Sequence, residues 1–179
     1  MKAWRVSTLG EPREVMALDE VPDPQPGDGQ LLVRVRGAAA NFADALMCRG
    51  LYQVKPALPF TPGLELCGEI AALGPGTTGF EVGDRVVGSS ALLAGGFAEF
   101  ALMDPSTTFP APDAFDDAEA AAFYIGYQTG WLGLHRRAHL QPGETLLVHA
   151  AAGGVGSAAV QLGKATGARG LRPVGGPAK

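Results

Sequence analysis

Thr145 to Gly163, TLLVHAAAGGVGSAAVQLG, changes character at Ala150. Thr145 to His149 is a short apolar, β-branched run preceded by Pro142-Gly143, the pattern of a buried parallel strand. A glycine-rich turn follows. From Gly154 on, Val155, Ala158, Ala159, Val160 and Leu162, with no internal proline, read as a helix able to pack closely on a sheet. Gly153, Gly154 and Gly156 leave the backbone bare, and Ala150, Gly153 and Gly156 give an AxxGxxG spacing. Bare amides at the positive end of a helix attract a phosphate or pyrophosphate. The competing reading is a tight turn with no ligand, since the chain has 26 glycines.

The chain has 179 residues, 46% of them hydrophobic and 18% charged, enough for one or two domains with a buried core. Its net charge of -4 gives no electrostatic footprint for nucleic acid. No apolar run approaches the ~20 residues of a membrane span, and MKAWRVSTLG has no signal-peptide core, so the cytoplasm is the expected location. Cys48 and Cys67 are too few for a disulfide framework and read as reduced, packed thiols.

Upstream of the glycine turn, closely spaced strands with proline and glycine punctuation suggest a folded-over, barrel-like β domain. The expected strands are Lys2 to Val6, Gln30 to Arg36 and Gly63 to Ile70; further ones follow the turn that begins at Glu81 and start from Gly95. Asn41 to Arg49 is a short helix, with Asn41 placed to cap it or to face a cleft and Asp44 placed to pair with Arg49. The β domain ends near Pro110 to Pro112. An alanine-rich helical run from Asp116-Asp117 to Tyr124, broken by Gly126 and resumed to about Leu140, bridges to the nucleotide device. The last strand is expected at Gly170 to Val174, where Arg172 and Pro173 suit a central strand poorly.

Asn41-Phe42-Ala43-Asp44, Arg49-Gly50-Leu51-Tyr52, Pro59 to Glu65, Val82 to Val86, Gly95 to Glu99 and Ala151 to Gly156 occur in an order that resembles the zinc-independent, zeta-crystallin-like quinone oxidoreductases of the medium-chain dehydrogenase/reductase superfamily. The resemblance runs from Met1 to about Ala168. It implies an α/β plus β fold: a GroES-like β-barrel catalytic domain over residues 1–122, then a bridging helix and the first part of a Rossmann NADP-binding domain over 123–179. That second domain reads as truncated, because too little chain remains for a complete doubly wound sheet.

The implied activity is hydride transfer from NADPH to a quinone or other α,β-unsaturated carbonyl compound. Asn41 and Tyr52 resemble residues near the nicotinamide and substrate, Thr129 resembles a cofactor contact, and Ala152, Gly153, Gly154, Val155 and Gly156 match the pyrophosphate turn. Zinc relatives carry a cysteine where Asn41 stands and a histidine where Leu64 stands, so no catalytic metal is expected. Many relatives have a tyrosine where this chain has Leu46. The resemblance also admits a homodimer.

NADPH is expected over NADH because no acidic residue follows Glu144 to bind ribose hydroxyls. Val174 to Lys179 resembles the family's 2′-phosphate segment, with Gly175 and Lys179 in that site. Tyr52 reads equally as a donor to the substrate oxygen and as a loop anchor. Glu65 reads as a satisfied buried or partly buried acid. His135 and His139 lie one helical turn apart but lack the glutamate of a thermolysin-type pair, and read as solvated helix-end residues. A second reading of the whole chain is a truncated, non-catalytic relative that acts as a binding or interaction domain.

Overall fold

A computed structural model describes residues 1–91 and 95–171. Two compact units divide the chain, Met1–Ala122 and Phe123–Lys179.

In the first unit, β1 (Lys2–Val6) pairs antiparallel with β2 (Met16–Glu20), joined through the short α1 (Pro12–Val15). β3 (Leu31–Ala39), β4 (Glu65–Leu73), β5 (Arg85–Ser90) and β6 (Phe100–Pro110) close into a barrel. Alternation puts Leu31 and Val33 of β3, Leu66 and Ile70 of β4, Val86 of β5, and Ala101 and Met103 of β6 in one buried cluster. Each fully buried aliphatic side chain contributes roughly 1.5 to 3 kcal/mol. β6 is the seam: Phe100 to Met103 pair with β3, while Thr108 to Pro110 and, past a register shift, Met103 pair with β5.

α2 (Phe42–Cys48) leaves the end of β3 with Asn41 as its N-cap. Its Met47 and Cys48 form a second buried cluster with Val6, Phe60 and Leu64, against which Tyr52 packs. α3 (Asp117–Ala121) is capped by Asp116, whose carboxylate accepts from the Glu119 N–H at 2.8 Å. Arg85 ties β5 to this helix, donating from Nε to Asp117 at 2.9 Å and from its terminal nitrogens to the carbonyls of Pro112 and Phe115.

In the second unit, α4 (Tyr124–Trp131) continues into a π-helical turn (Leu132–Arg137). β7 (Thr145–Leu147), α5 (Gly154–Ala165) and β8 (Arg169–Leu171) follow, with β7 and β8 parallel. The helical break expected at Gly126 lies instead at Ala122-Phe123, and Gly126 sits inside α4. The reason is packing between helices. Gly126 and Gly130 both face α5: a Cβ at Gly126 would be in ordinary contact with the Gly154 carbonyl oxygen at 3.6 Å, and one at Gly130 would press on the Leu162 side chain at 3.1 Å. β7 is shorter than the expected Thr145 to His149, because the chain bends into the turn before Ala150, whose φ is 52°.

Candidate functional site

The first set of site residues gathers where β3 ends and β4 begins. Asn41 and Glu65 are brought together by the β3–β4 ladder, in which Ala39 stands opposite Glu65. The Asn41 side-chain nitrogen donates to Glu65 Oε1 at 2.9 Å and to the Ala39 carbonyl at 3.4 Å. Glu65 is only 2% exposed. The buried-acid reading of Glu65 is met, and Asn41 is one partner that satisfies it.

Asp44 takes a different role from the expected pairing with Arg49. Arg49 forks onto Glu11, with Nε and a terminal nitrogen at 3.0 and 2.8 Å from its two carboxylate oxygens. Asp44 faces inward at 4% exposure and accepts from the Asn41 N–H at 2.8 Å and the Gly63 N–H at 2.9 Å. Helix geometry decides between the two pairings: Asn41 and Asp44 are the N-cap and N3 positions, so the carboxylate reaches back to the cap amide. Burial pushes the Asp44 carboxyl above its usual range, and N–H groups of Asn41, Gly63 and Leu64 oppose that push.

Gly63 is held from its other side as well. Its carbonyl accepts from Ser90 Oγ at 2.7 Å and from the Gly96 N–H at 3.0 Å. The segment carrying Glu65 is therefore fixed at both faces. Sequence reasoning missed Asp44 as this clamp; the N-cap to N3 spacing of Asn-Phe-Ala-Asp is the signal that carries it.

Tyr52 is half-buried on the cluster of Val6, Met47, Cys48, Phe60 and Leu64, and its hydroxyl makes no hydrogen bond among the described residues. The flanking Phe42 and Leu51 are 74% and 70% exposed, an apolar rim next to Asn41 and Tyr52 in the chain. A cavity of about 600 Å³ in this unit is walled by Phe60, Thr61, Phe100 and Leu102 with Arg5 and Lys55; neither Asn41 nor Tyr52 lines it.

The second set belongs to the glycine turn. Gly153 is the N-cap of α5 and donates its N–H to the Ala150 carbonyl at 2.9 Å; the first intrahelical bond runs from the Ser157 N–H to the Gly153 carbonyl at 2.8 Å. The amides of Gly154, Val155 and Gly156 belong to the first turn, where no intrahelical acceptor exists. Ala152, Gly153, Gly154 and Val155 are exposed. A Cβ on Gly154 would meet nothing within 4 Å, whereas one on Gly156 would collide with the Ala150 carbonyl. Gly156 is thus needed by the turn itself, and Gly154 leaves open space where an anion can approach.

Thr129 is exposed on α4 and lines a separate cavity of about 440 Å³ with Gln128, Trp131, Leu132 and Arg136; no residue of the glycine turn lines it. His135 packs beside Trp131 at 5.8 Å between ring centroids. Among the described residues no group of three or more His, Cys, Asp or Glu side chains could hold a metal, and no helix is long and apolar enough to cross a membrane. Gly175 and Lys179 lie outside the described residues.

Comparison with known proteins follows the same lines. Residues 27–113 match the alcohol dehydrogenase GroES-like domain. The quinone oxidoreductase of Rattus norvegicus is 39% identical over 175 residues, 98% of this chain and 53% of its own length. A probable oxidoreductase of Mycobacterium abscessus superposes with a TM-score of 0.89 at 39% identity, covering 96% of this chain and 54% of that one. The quinone oxidoreductase of Thermus thermophilus, solved alone and in complex with NADPH, gives 0.85 at 35% identity, covering 99% of this chain and 55% of that one. The chain spans about half the length of the curated relatives it matches.

Proposed function

We propose that the chain, which is similar to the zeta-crystallin-like quinone oxidoreductases of the medium-chain dehydrogenase/reductase superfamily, is an NADPH-dependent, metal-free reductase of quinones or other α,β-unsaturated carbonyl compounds. The observation that carries this reading is the exposed glycine turn at the head of α5, with room over Gly154 for a diphosphate. NADPH supplies the hydride when bound; the protein supplies binding, orientation and electrostatics.

The domain assignment goes with it. Residues 1–122 are a GroES-like catalytic domain, and residues 123–179 are a bridging helix and the opening of a Rossmann domain. The parallel β7–α5–β8 unit supports the second assignment. Ala152, Gly153, Gly154, Val155 and Gly156 form the diphosphate site, its hydrogen bonds coming from the first-turn amides of Gly154, Val155 and Gly156, and Thr129 is a further cofactor contact. Gly175 and Lys179 complete the set at the 2′-phosphate, where the lysine charge offsets that of the anion.

At the reacting end, Tyr52 donates its hydroxyl hydrogen to the substrate oxygen as negative charge builds there. Its lack of an internal partner among the described residues supports this assignment. Asn41 orients the bound pair through its side-chain oxygen, since both amide hydrogens are engaged by Glu65 and Ala39. Phe42 and Leu51 offer the apolar contact that a quinone ring prefers over water. Asn41 and Leu64 occupy the places of two zinc ligands in zinc-dependent relatives, and neither side chain suits zinc. A cytoplasmic location and assembly as a homodimer belong to the same reading.

The test combines NADPH fluorescence titration with NADPH oxidation by 1,4-naphthoquinone in the presence of EDTA. Saturable binding and turnover that EDTA leaves intact are expected. Failure to bind NADPH sinks the reading, binding without turnover leaves a nucleotide-binding domain, and loss of turnover to EDTA sinks its metal-free part.

A further inference from the structure

Asn41 is the only asparagine of the chain, and its carboxamide is surrounded in a chemically one-sided way. Its nitrogen carries two hydrogens. One points to Glu65 Oε1 at 2.9 Å and the other to the Ala39 carbonyl at 3.4 Å. A carboxylate and a backbone carbonyl both accept and never donate. Rotating the amide by half a turn would set its oxygen against two other oxygens at once. The two acceptors therefore select one orientation on chemical grounds, independent of how the amide's oxygen and nitrogen are drawn.

Both acceptors come from one rung of the barrel, since Ala39 and Glu65 are partners in the β3–β4 register. Glu65 is buried, so solvent does not compete for it. Asp44 holds the same residue by its backbone, accepting from the Asn41 N–H at 2.8 Å. Main chain and side chain of residue 41 are thus fixed by separate carboxylates.

We infer that Glu65 is a positioning residue that, with the Ala39 carbonyl, locks the Asn41 carboxamide so that residue 41 meets a ligand only as a hydrogen-bond acceptor. The oxygen lies toward the first turn of α2 and has two lone pairs, so one can serve a ligand hydroxyl or carboxamide N–H. Such donors are found at the nicotinamide-ribose end of a dinucleotide, and this half of the inference rests on the nucleotide reading above. The corollary is that Asn41 cannot stabilise charge on a substrate oxygen, a task that needs a donor.

Two experiments decide it. The first needs no ligand: protein labelled with ¹⁵N-asparagine gives a single side-chain amide signal. Hydrogen exchange of that NH₂ group should be slow in the wild type and at least about tenfold faster in Glu65→Ala, because the main acceptor is gone. An unchanged exchange rate in the folded variant overturns the lock.

The second experiment inverts the donor and acceptor. Asn41→Asp sets two carboxylates against each other and should weaken NADPH binding by about tenfold or more. The double variant Asn41→Asp with Glu65→Gln restores a match, with the glutamine NH₂ now donating to the introduced carboxylate, and should return affinity to within about threefold. That carboxylate can only accept, so recovery establishes that the ligand needs an acceptor at residue 41. A double variant that keeps the wild-type circular dichroism but does not recover overturns the inference.

Titration with 2′,5′-ADP, which lacks the nicotinamide end, should be unchanged across all variants. A wild type that holds neither nucleotide removes the nucleotide reading, while the exchange measurement still decides the lock.

Discussion

Gly156 stands so close to Ala150 that a side chain at residue 156 would occupy the space of the Ala150 carbonyl oxygen. Two glycines of one turn are therefore present for different reasons, and substitution separates them. Gly156→Ala must displace backbone and should both lower the unfolding midpoint and abolish nucleotide binding. Gly154→Ala meets nothing in the protein, so the fold should keep its stability to within about 1 kcal/mol while NADPH affinity falls about tenfold, because the bare backbone there serves the anion. Thermal melts and fluorescence titration of the two variants check this; equal loss of binding and stability in both would remove the distinction.

Ala150 itself adopts the left-handed region at a φ of 52°. For a residue with a Cβ that conformation costs roughly 1 to 2 kcal/mol, and glycine avoids most of it at some cost in unfolded-state entropy. Ala150→Gly should stabilise the chain by about 0.5 to 1 kcal/mol in urea unfolding. Destabilisation instead would mean that the methyl group has a packing role.

Asp44 gives a signed dependence on pH. Burial raises its carboxyl pKa above the unfolded value, so the folded chain holds the proton more tightly than the unfolded one. That contribution to stability is fully present below the ordinary carboxylate range and is lost as pH rises through the folded value. Asp44→Asn cannot titrate, and it turns an NH₂ group toward an amide N–H, a mismatch that costs about 1 to 3 kcal/mol. The stability gap between wild type and Asp44→Asn should be widest in acid and narrow as pH rises; urea unfolding from pH 3 to pH 7 measures it, and a gap that widens instead contradicts the sign. By contrast, Arg49→Ala breaks only the exposed fork on Glu11 and should leave the unfolding midpoint nearly unchanged.

Both cysteines should resist chemistry while the chain is folded. Cys48 and Cys67 are 1% and 0% exposed, and burial pushes each thiol above its usual pKa, with Asp44 adding to the push at Cys48. Iodoacetamide at pH 8 should label neither in buffer and both in urea. Rapid labelling of either one in buffer would contradict the packing around α2 or β4.

The glycine turn was legible because its constraint is local: an apolar strand, bare backbone and a small-residue helix follow one another in sequence. The N-cap at Asn41 was legible for the same reason. What Asn41 and Asp44 bind was not, because Glu65 is 24 residues away from Asn41 and Gly63 is 19 from Asp44, and only the β3–β4 register brings them together. Arg49 illustrates the opposite error. An acid and a base on one short helix invite a local ion pair, yet the carboxylate was claimed by cap geometry and the guanidinium found Glu11 at a sequence distance no periodicity records. Gly126 likewise reads as a breaker in isolation, and its use as a contact surface depends on α5, which arrives much later in the chain.

β6 meets β3 through Phe100 to Met103 and β5 through Met103 and Thr108 to Pro110. During synthesis the outer margins of β3 and β5 must wait, unpaired, until residue 110 has emerged, whereas β4 already lies between these two strands. Loop closure over so long a separation makes assembly of this unit slow compared with the local β7–α5–β8 unit. A polypeptide interrupted before Phe100 would expose unpaired strand margins to its neighbours and aggregate rather than fold.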